Sequence, residues 1–523
     1  MSEVLIVILS LLALTALCSA IAEKIVLPEP VVMAVVGIGL SFIPNFPVVN
    51  LNPKVVLLGF LPPLVYIAST RLPWEEFRSN LRPILSLAVG LVAATSAVVA
   101  AVAHFVIPGL GWAEAFALGA IVSPTDPVAS TAISERLGVP RRLTAITEGE
   151  GLVNDAIALT LLHVATTAIA TSSFSPGHAL LRLGAIVVGE IAYGLAVGWV
   201  AAQLRRRILD PRIEITVSVL TPFLAYLLPE SLGGSGVLAT VAAGMYIGIR
   251  NPDIVPSATR LNLAGFWDMI AYLLNGSLFL LTGLQFQSIA SGASRLGGMH
   301  VLGYGALITA VVIVLRFAWS WPAAWINHHL PIGMPSRMPP HRHLTFLAWC
   351  GMRGGISLAA ALSLVASTPS RNLILLVTAC VIAGTLILQG APLPFLLRKL
   401  RLDADARHET QESTHQERRA RIAGVKAALD KLGKAGREGQ RLRAEYQHRL
   451  DLLQCGEDPE SGIGPTGYRQ DHIHLHLDAL AAERQAILAM YRQGKLPEHV
   501  LHRVERDLDL TEVRLGQFLS KSD

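Results

Sequence analysis

Ser123-Pro124-Thr125-Asp126-Pro127 and Glu150-Gly151-Leu152-Val153-Asn154-Asp155 each set a carboxylate into an otherwise apolar stretch, the second of which runs on to Ala170. A carboxylate in the hydrocarbon region of a membrane costs at least about 2.5 kcal/mol even on lenient insertion scales. It persists there when it binds an ion, carries a proton or meets a partner. Two such groups in consecutive spans suggest an ion path.

The chain around these stretches fits a membrane setting. Of 523 residues, 52% are hydrophobic and only 15% are charged. Apolar runs of roughly 20 residues, enough to cross a bilayer, recur from Leu5 to about residue 400. The reading is an all-α polytopic membrane protein with about thirteen spans, near 4–22, 30–43, 54–70, 83–107, 113–134, 144–171, 179–203, 213–228, 233–249, 264–286, 300–326, 342–366 and 371–399. Two domains follow: 1–402 in the membrane and 403–523 as a soluble tail. The first span is not read as a cleaved signal, because its start carries Glu3 and no Lys or Arg, and Leu17 precedes Cys18 where a lipoprotein site needs a small residue.

Basic residues sort by alternate loops. One side holds Lys24, Arg71, Arg78, Arg82, Arg136, Arg141, Arg142, Arg205, Arg206, Arg207, Arg212, Arg250, Arg260, Arg337 and Arg342; the other holds only Lys54, Arg295 and Arg371. The positive-inside rule then places the C-terminus in the cytoplasm and the N-terminus outside, in a multi-pass protein of the cell inner (plasma) membrane. The same loops account for the net charge of +5, so no nucleic-acid partner is expected. Cys18, Cys350, Cys380 and Cys455 show neither CxxC nor metal-ligand spacing, and neither disulfides nor a metal cofactor is expected.

Pro124 and Pro127 each remove an amide donor, so the fifth span should be broken at Asp126. Broken backbone at membrane depth frees carbonyls and half-helix ends that can ligate a cation, with Thr125 adding its carbonyl or hydroxyl. The twelfth span carries Gly351-Met352-Arg353-Gly354-Gly355-Ile356-Ser357, where the glycines permit unwinding and close approach. Opposite in direction and seven apart in span order, the two irregular spans form the pattern of an inverted-repeat transporter with its site at the midplane.

Arg353 does not lose its proton and when buried needs an anion. Glu150 precedes Asp155 by five residues, about 140° round the helix, so the two acids face different ways. Asp155 is taken as the site-facing carboxylate, Glu150 as the partner of Arg353 in a buried ion pair, and Asn154 as a neutral amide beside the site. Arg316, in the middle of the eleventh span, reads as a further buried structural charge, and His163 as a core histidine.

Thr125-Asp126-Pro127, Glu150 to Asp155 and Arg353-Gly-Gly-Ile-Ser-Leu, in this order and on these spans, resemble the NhaP/NHE-type monovalent cation:proton antiporters over roughly residues 1–400. The resemblance implies a homodimer whose core bundle moves against a dimerisation domain. It also implies that Asp155 takes Na⁺ (or K⁺ or Li⁺) and H⁺ in alternation, that Glu150 pairs with Arg353, and that exchange is electroneutral, because Asn154-Asp155 stands where electrogenic relatives carry two aspartates. The chain departs from the family at Ile67, often acidic there, and at Gly151, a serine in some members. Gly494-Lys-Leu-Pro497 and the segment from Arg503 to Asp509 are also similar to tails of bacterial members.

The expected function is antiport of Na⁺ (or K⁺ or Li⁺) against H⁺ for pH and cation homeostasis. Asp155 and Asp126 would carry the exchange while Thr125 and Asn154 help bind the ion. Proton and cation compete for one carboxylate, since protonation cancels the charge that a cation stabilises. No GxxxxGK[ST] motif supplies a nucleotide motor. A channel would need a filter repeated around an axis. A symporter of an organic solute would place more aromatic and amide groups near the site, and an enzyme would need a convergent His/Asp or Ser/His set; the spans show none of these. The tail reads as helices near 404–454, 468–493 and 497–520, broken by the loop from Gly456 to Gly467, with His472 and His476 on one face.

Overall fold

The computed structural model describes residues 2–25, 27–43, 57–171, 176–208, 210–254, 257–287, 298–329, 339–365, 368, 370–402 and isolated positions up to 454. All regular structure among them is helical. The helices are α1 (Ser2–Ile25), α2 (Glu29–Ser41), α3 (Leu61–Arg71), α4 (Trp74–Ser79), α5 (Leu81–Val106), α6 (Trp112–Val122), α7 (Val128–Arg136) and α8 (Arg141–Thr171). They continue with α9 (Pro176–Arg205), α10 (Pro211–Ser231), α11 (Val237–Ile254), α12 (Ser257–Leu284), α13 (Gly298–His329), α14 (His341–Trp349), α15 (Gly355–Leu362) and α16 (Arg371–Leu400).

Seven described helices are long and apolar enough to cross a membrane, and shorter apolar helices at Glu29–Ser41, Trp112–Val122 and Val237–Arg250 accompany them. Of the thirteen expected spans, the second, third and ninth coincide with shorter helices, and the fifth and twelfth are interrupted. Each interrupted span is a pair of half-helices, α6 with α7 and α14 with α15, so none of the four is long enough alone. Proline explains the first break and a glycine-rich run the second.

Within residues 1–407, α5, α8, α13 and α16 pack around the half-helices, α9, α10 and α11 pack on one another, with α10 and α11 also on α3, and α12 packs with α2. Small residues set the spacing of α9 and α11: a Cβ on Gly198 would meet the Ala243 carbonyl oxygen at 3.0 Å, so the two helices approach at backbone distance, the means by which membrane helices associate without a hydrophobic drive. α5 and α16 each contain a π-turn, Ser86–Leu91 and Leu386–Gly390. An indole N–H takes a carbonyl at each: Trp319 Nε1 donates to Ser86 O at 3.2 Å and Trp349 Nε1 to Gln389 O at 2.8 Å.

The contacts divide the chain into Met1–Arg407 and His408–Asp523. The first unit includes Asp405, which accepts from Arg342 Nη2 at 2.7 Å and meets His343 Nε2 at 2.8 Å. In the second unit the described positions are helical, with Val425 and Leu450 buried against Ile422 and Leu429. The expected tail helices beyond 454, the pair His472 and His476, Cys455, the family-like segments from Gly494 to Asp509, and the loop residues Lys54, Arg295 and Arg337 lie outside the described residues.

Candidate functional site

The two breaks touch. Asp126 N–H donates to Met352 O at 2.8 Å, joining the interruption after α6 to the one after α14. Asp126 Oδ1 accepts from the Val128 amide at 2.9 Å, satisfying one of the free N–H groups at the start of α7. Gly354 must be glycine for this crossing, because a Cβ there would run into the Asp126 carboxylate.

α8 lies against the crossing and contributes Glu150, Asn154 and Asp155, all buried. Gly151 lets it come this close: a Cβ at Gly151 would sit 2.5 Å from Pro127 Cγ. The amide of Asn154 donates to Thr125 O at 3.1 Å and to Thr125 Oγ1 at 2.8 Å, and the Thr125 hydroxyl in turn donates to Glu150 Oε1 at 2.9 Å. Asn154 therefore fixes the broken segment on α8 through Thr125. Its Oδ1 remains buried with no hydrogen-bond partner. Among the described residues nothing donates a hydrogen bond to Asp155, and the charge that acts on it is that of Asp126.

The expected pairing of Glu150 with Arg353 is corrected by the geometry. Glu150 is held by Arg316 of α13, with Nη1 to Oε1 at 2.5 Å and Nη2 to Oε2 at 2.8 Å, both side chains almost fully buried. The two parallel bonds match the guanidinium fork to the carboxylate, an arrangement that gives both strength and direction. Arg353 instead serves carbonyls: Nε donates to Val122 O at 2.9 Å, Nη2 to Ser123 O at 3.3 Å and Nη1 to Gly351 O. These oxygens include the C-terminal end of α6, where the last carbonyls lack intrahelical partners and the helix dipole is negative. Arg316 makes a similar contact, Nε to Leu347 O at 3.1 Å near the end of α14. Each half-helix that ends at the crossing thus meets one buried arginine.

Asp126, Thr125, Asn154, Glu150, Asp155 and Arg353 therefore converge on one crossing, with Arg316 as the added member. Thr385 of α16, which the sequence reading did not single out, accepts the Arg353 backbone N–H through Oγ1 at 3.1 Å. Ile67, the other departure from the family pattern, belongs to a separate apolar cluster with Tyr66, Ile247 and Trp267.

Two interrupted helices crossing beside buried carboxylates define a membrane transporter of the crossed half-helix class. The pattern of the family described as "Sodium/hydrogen exchanger, transmembrane" matches residues 10–399, and the chain belongs to that family. It is 34% identical to an "Uncharacterized Na(+)/H(+) exchanger" of Mycobacterium tuberculosis over 98% of this chain and 96% of that one. It is 30% identical to the "Sodium, potassium, lithium and rubidium/H(+) antiporter" of Bacillus pumilus, over 96% of this chain and 77% of that one. The fold matches the sodium proton antiporter MjNhaP1 from Methanocaldococcus jannaschii with a TM-score of 0.60 at 17% identity, covering 76% of this chain and 99% of that one.

Proposed function

We propose that this protein is a secondary antiporter that exchanges Na⁺, or another small monovalent cation, for H⁺, and that Asp155 is the group for which the two compete. The observation that carries this reading is the contrast between the acids of α8. Glu150 is committed to a two-pronged bond with Arg316, whereas Asp155 accepts no hydrogen bond from the described residues. A carboxylate without a fixed donor is free to take either ion. Protonation removes the charge that holds the cation, and a bound cation favours the charged form.

Asp126 and Thr125 stand beside it on the broken segment, and the unpartnered Oδ1 of Asn154 is a further oxygen available to a dehydrated cation. Asn154 stands beside Asp155 where electrogenic relatives carry a second aspartate, and Glu150 is neutralised by Arg316, which supports electroneutral one-for-one antiport. The names of relatives, which include Na⁺, K⁺, Li⁺ and Rb⁺ as exchanged ions, support the ion class. The basic loops support a cytoplasmic C-terminus and an outside N-terminus. Membership of the family supports a homodimer in which a core bundle moves against a dimerisation domain, carrying the site from face to face, for pH and cation homeostasis.

The test is counterflow in proteoliposomes. A Na⁺ pulse should alkalinise the acid-loaded lumen of vesicles carrying the protein, and a panel of K⁺, Li⁺ and Rb⁺ pulses should rank the ions. An unchanged lumenal pH for every ion would overturn the reading.

A further inference from the structure

On the face that carries the basic loops, a cavity of about 780 Å³ opens between the ends of α4, α5, α8, α13 and α14. This size lies within the roughly 300–1,000 Å³ of small-molecule sites. Its walls are apolar, with Leu87, Leu143, Ile146 and Leu347 opposite Ala323 and Ala324. Its charged lining is one-sided: Arg78, Arg82 and Arg142 against the single carboxylate of Glu75. His343 also lines it but is engaged by Asp405. Arg142 donates through Nε to Asn80 Oδ1 at 2.9 Å, while Arg78 and Arg82 have no ion-pair or hydrogen-bond partner among the described residues.

Exposed Trp74 and Trp325 stand near this level, at 41% and 55% exposure, with Leu81 and Leu85 also exposed on α5. Tryptophan with its apolar body outward is the signature of the membrane–water boundary. An apolar hollow with an unneutralised arginine rim at that boundary complements a molecule with an anionic head and a hydrocarbon body. A nucleotide or free phosphate would satisfy the rim and leave the walls unfilled.

We propose that this cavity binds an anionic phospholipid, its phosphate held by Arg78, Arg82 and Arg142 and an acyl chain laid along Leu87, Leu143, Ile146 and Leu347. The anionic leaflet that attracts basic membrane-proximal segments supplies such a lipid in place. The occupant would brace two elements of the ion site from beneath. α8 carries Asp155, and the carbonyl of Leu347 receives Arg316, which holds Glu150. The proposal is independent of which ion is exchanged.

The experiment reconstitutes the full chain in phosphatidylcholine vesicles containing a small fraction of phosphatidylglycerol with a photoactivatable acyl chain, and maps the labelled peptides. Label should fall on the α5, α8 and α13 walls of the cavity and be absent with photoactivatable phosphatidylcholine. R78Q/R82Q should lower it roughly thirtyfold, the ratio that about 2 kcal/mol gives at ~1 kcal/mol for each basic group. R206Q/R207Q, equal in charge but outside the cavity, should leave it unchanged, and Ala324→Phe, which fills the wall and keeps the rim, should also remove it. Three outcomes would overturn the proposal: cavity label that survives R78Q/R82Q, equal loss with R206Q/R207Q, or displacement of the lipid by millimolar inorganic phosphate alone.

Discussion

Glu150 and Arg316, 166 residues apart in the chain, form a buried two-pronged ion pair at 2.5 and 2.8 Å, and Thr125 adds a third bond to the same carboxylate. This pair ties α8 to α13 and, through Thr125, to the broken segment beside Asp126. Removing one partner of such a pair leaves an uncompensated charge and costs about 3–5 kcal/mol, while neutralising both is often far milder. Melting of E150Q, R316Q and the double variant in detergent should therefore show strong coupling. Coupling between Glu150 and Arg353 should be clearly smaller, and equal coupling of the two arginines would contradict the assignment.

Asn154 should prove a positioning residue. N154D keeps the size of the side chain but presents a carboxylate where an amide donates to Thr125 O and Oγ1. It should lose about 1–3 kcal/mol of stability, the cost of leaving a buried polar group unsatisfied, and exchange should fall with it. If N154D melts like the parent chain, the Thr125 bonds do not hold the crossing.

Gly151→Ser tests whether glycine stands there for space. The change supplies an oxygen that some members of the family use, but its Cβ would meet the Pro127 ring, at 2.5 Å from Cγ. Overpacking of this kind costs about 1–3 kcal/mol. The variant should melt lower and gain no Na⁺ affinity in the counterflow assay; tighter Na⁺ binding at unchanged stability would show that the segment yields.

The sequence reading reached the crossing because its signals are local. Pro124 and Pro127 forbid continuous helix, the glycines from 351 to 355 permit the second break, and acids in apolar runs mark a buried site. The five-residue spacing turns Glu150 and Asp155 different ways on the helix, and in the structure Glu150 alone meets Arg316. Which arginine Glu150 meets is a property of packing: Arg316 and Arg353 are both buried cations in apolar surroundings, and nothing in their local sequence states which lies opposite α8. One physical signal did exist, since a half-helix ending inside a membrane leaves carbonyls that need a cation, and Arg353 follows its own break closely enough to meet the other.

The first unit includes Asp405, so a chain cut after Arg407 should retain exchange. One cut at Leu402 loses the bonds from Arg342 and His343 to Asp405. Both partners are partly exposed, at 40% and 26% for Arg342 and Asp405, so the penalty should be no more than about 1 kcal/mol. Proteoliposome rates and melting curves at matched protein density would check both truncations. Abolished exchange in a folded chain ending at Arg407 would show that the tail takes part in transport.

Asp155→Asn gives the most direct test of the central claim. It removes the charge at nearly constant volume and disturbs no described hydrogen bond to that side chain. In acid-loaded proteoliposomes a Na⁺ pulse should alkalinise the lumen for the parent protein, whereas the variant, folded and melting close to the parent, should produce no alkalinisation at any Na⁺ concentration. Parent-like alkalinisation by the variant would contradict the account that Asp155 is where cation and proton compete.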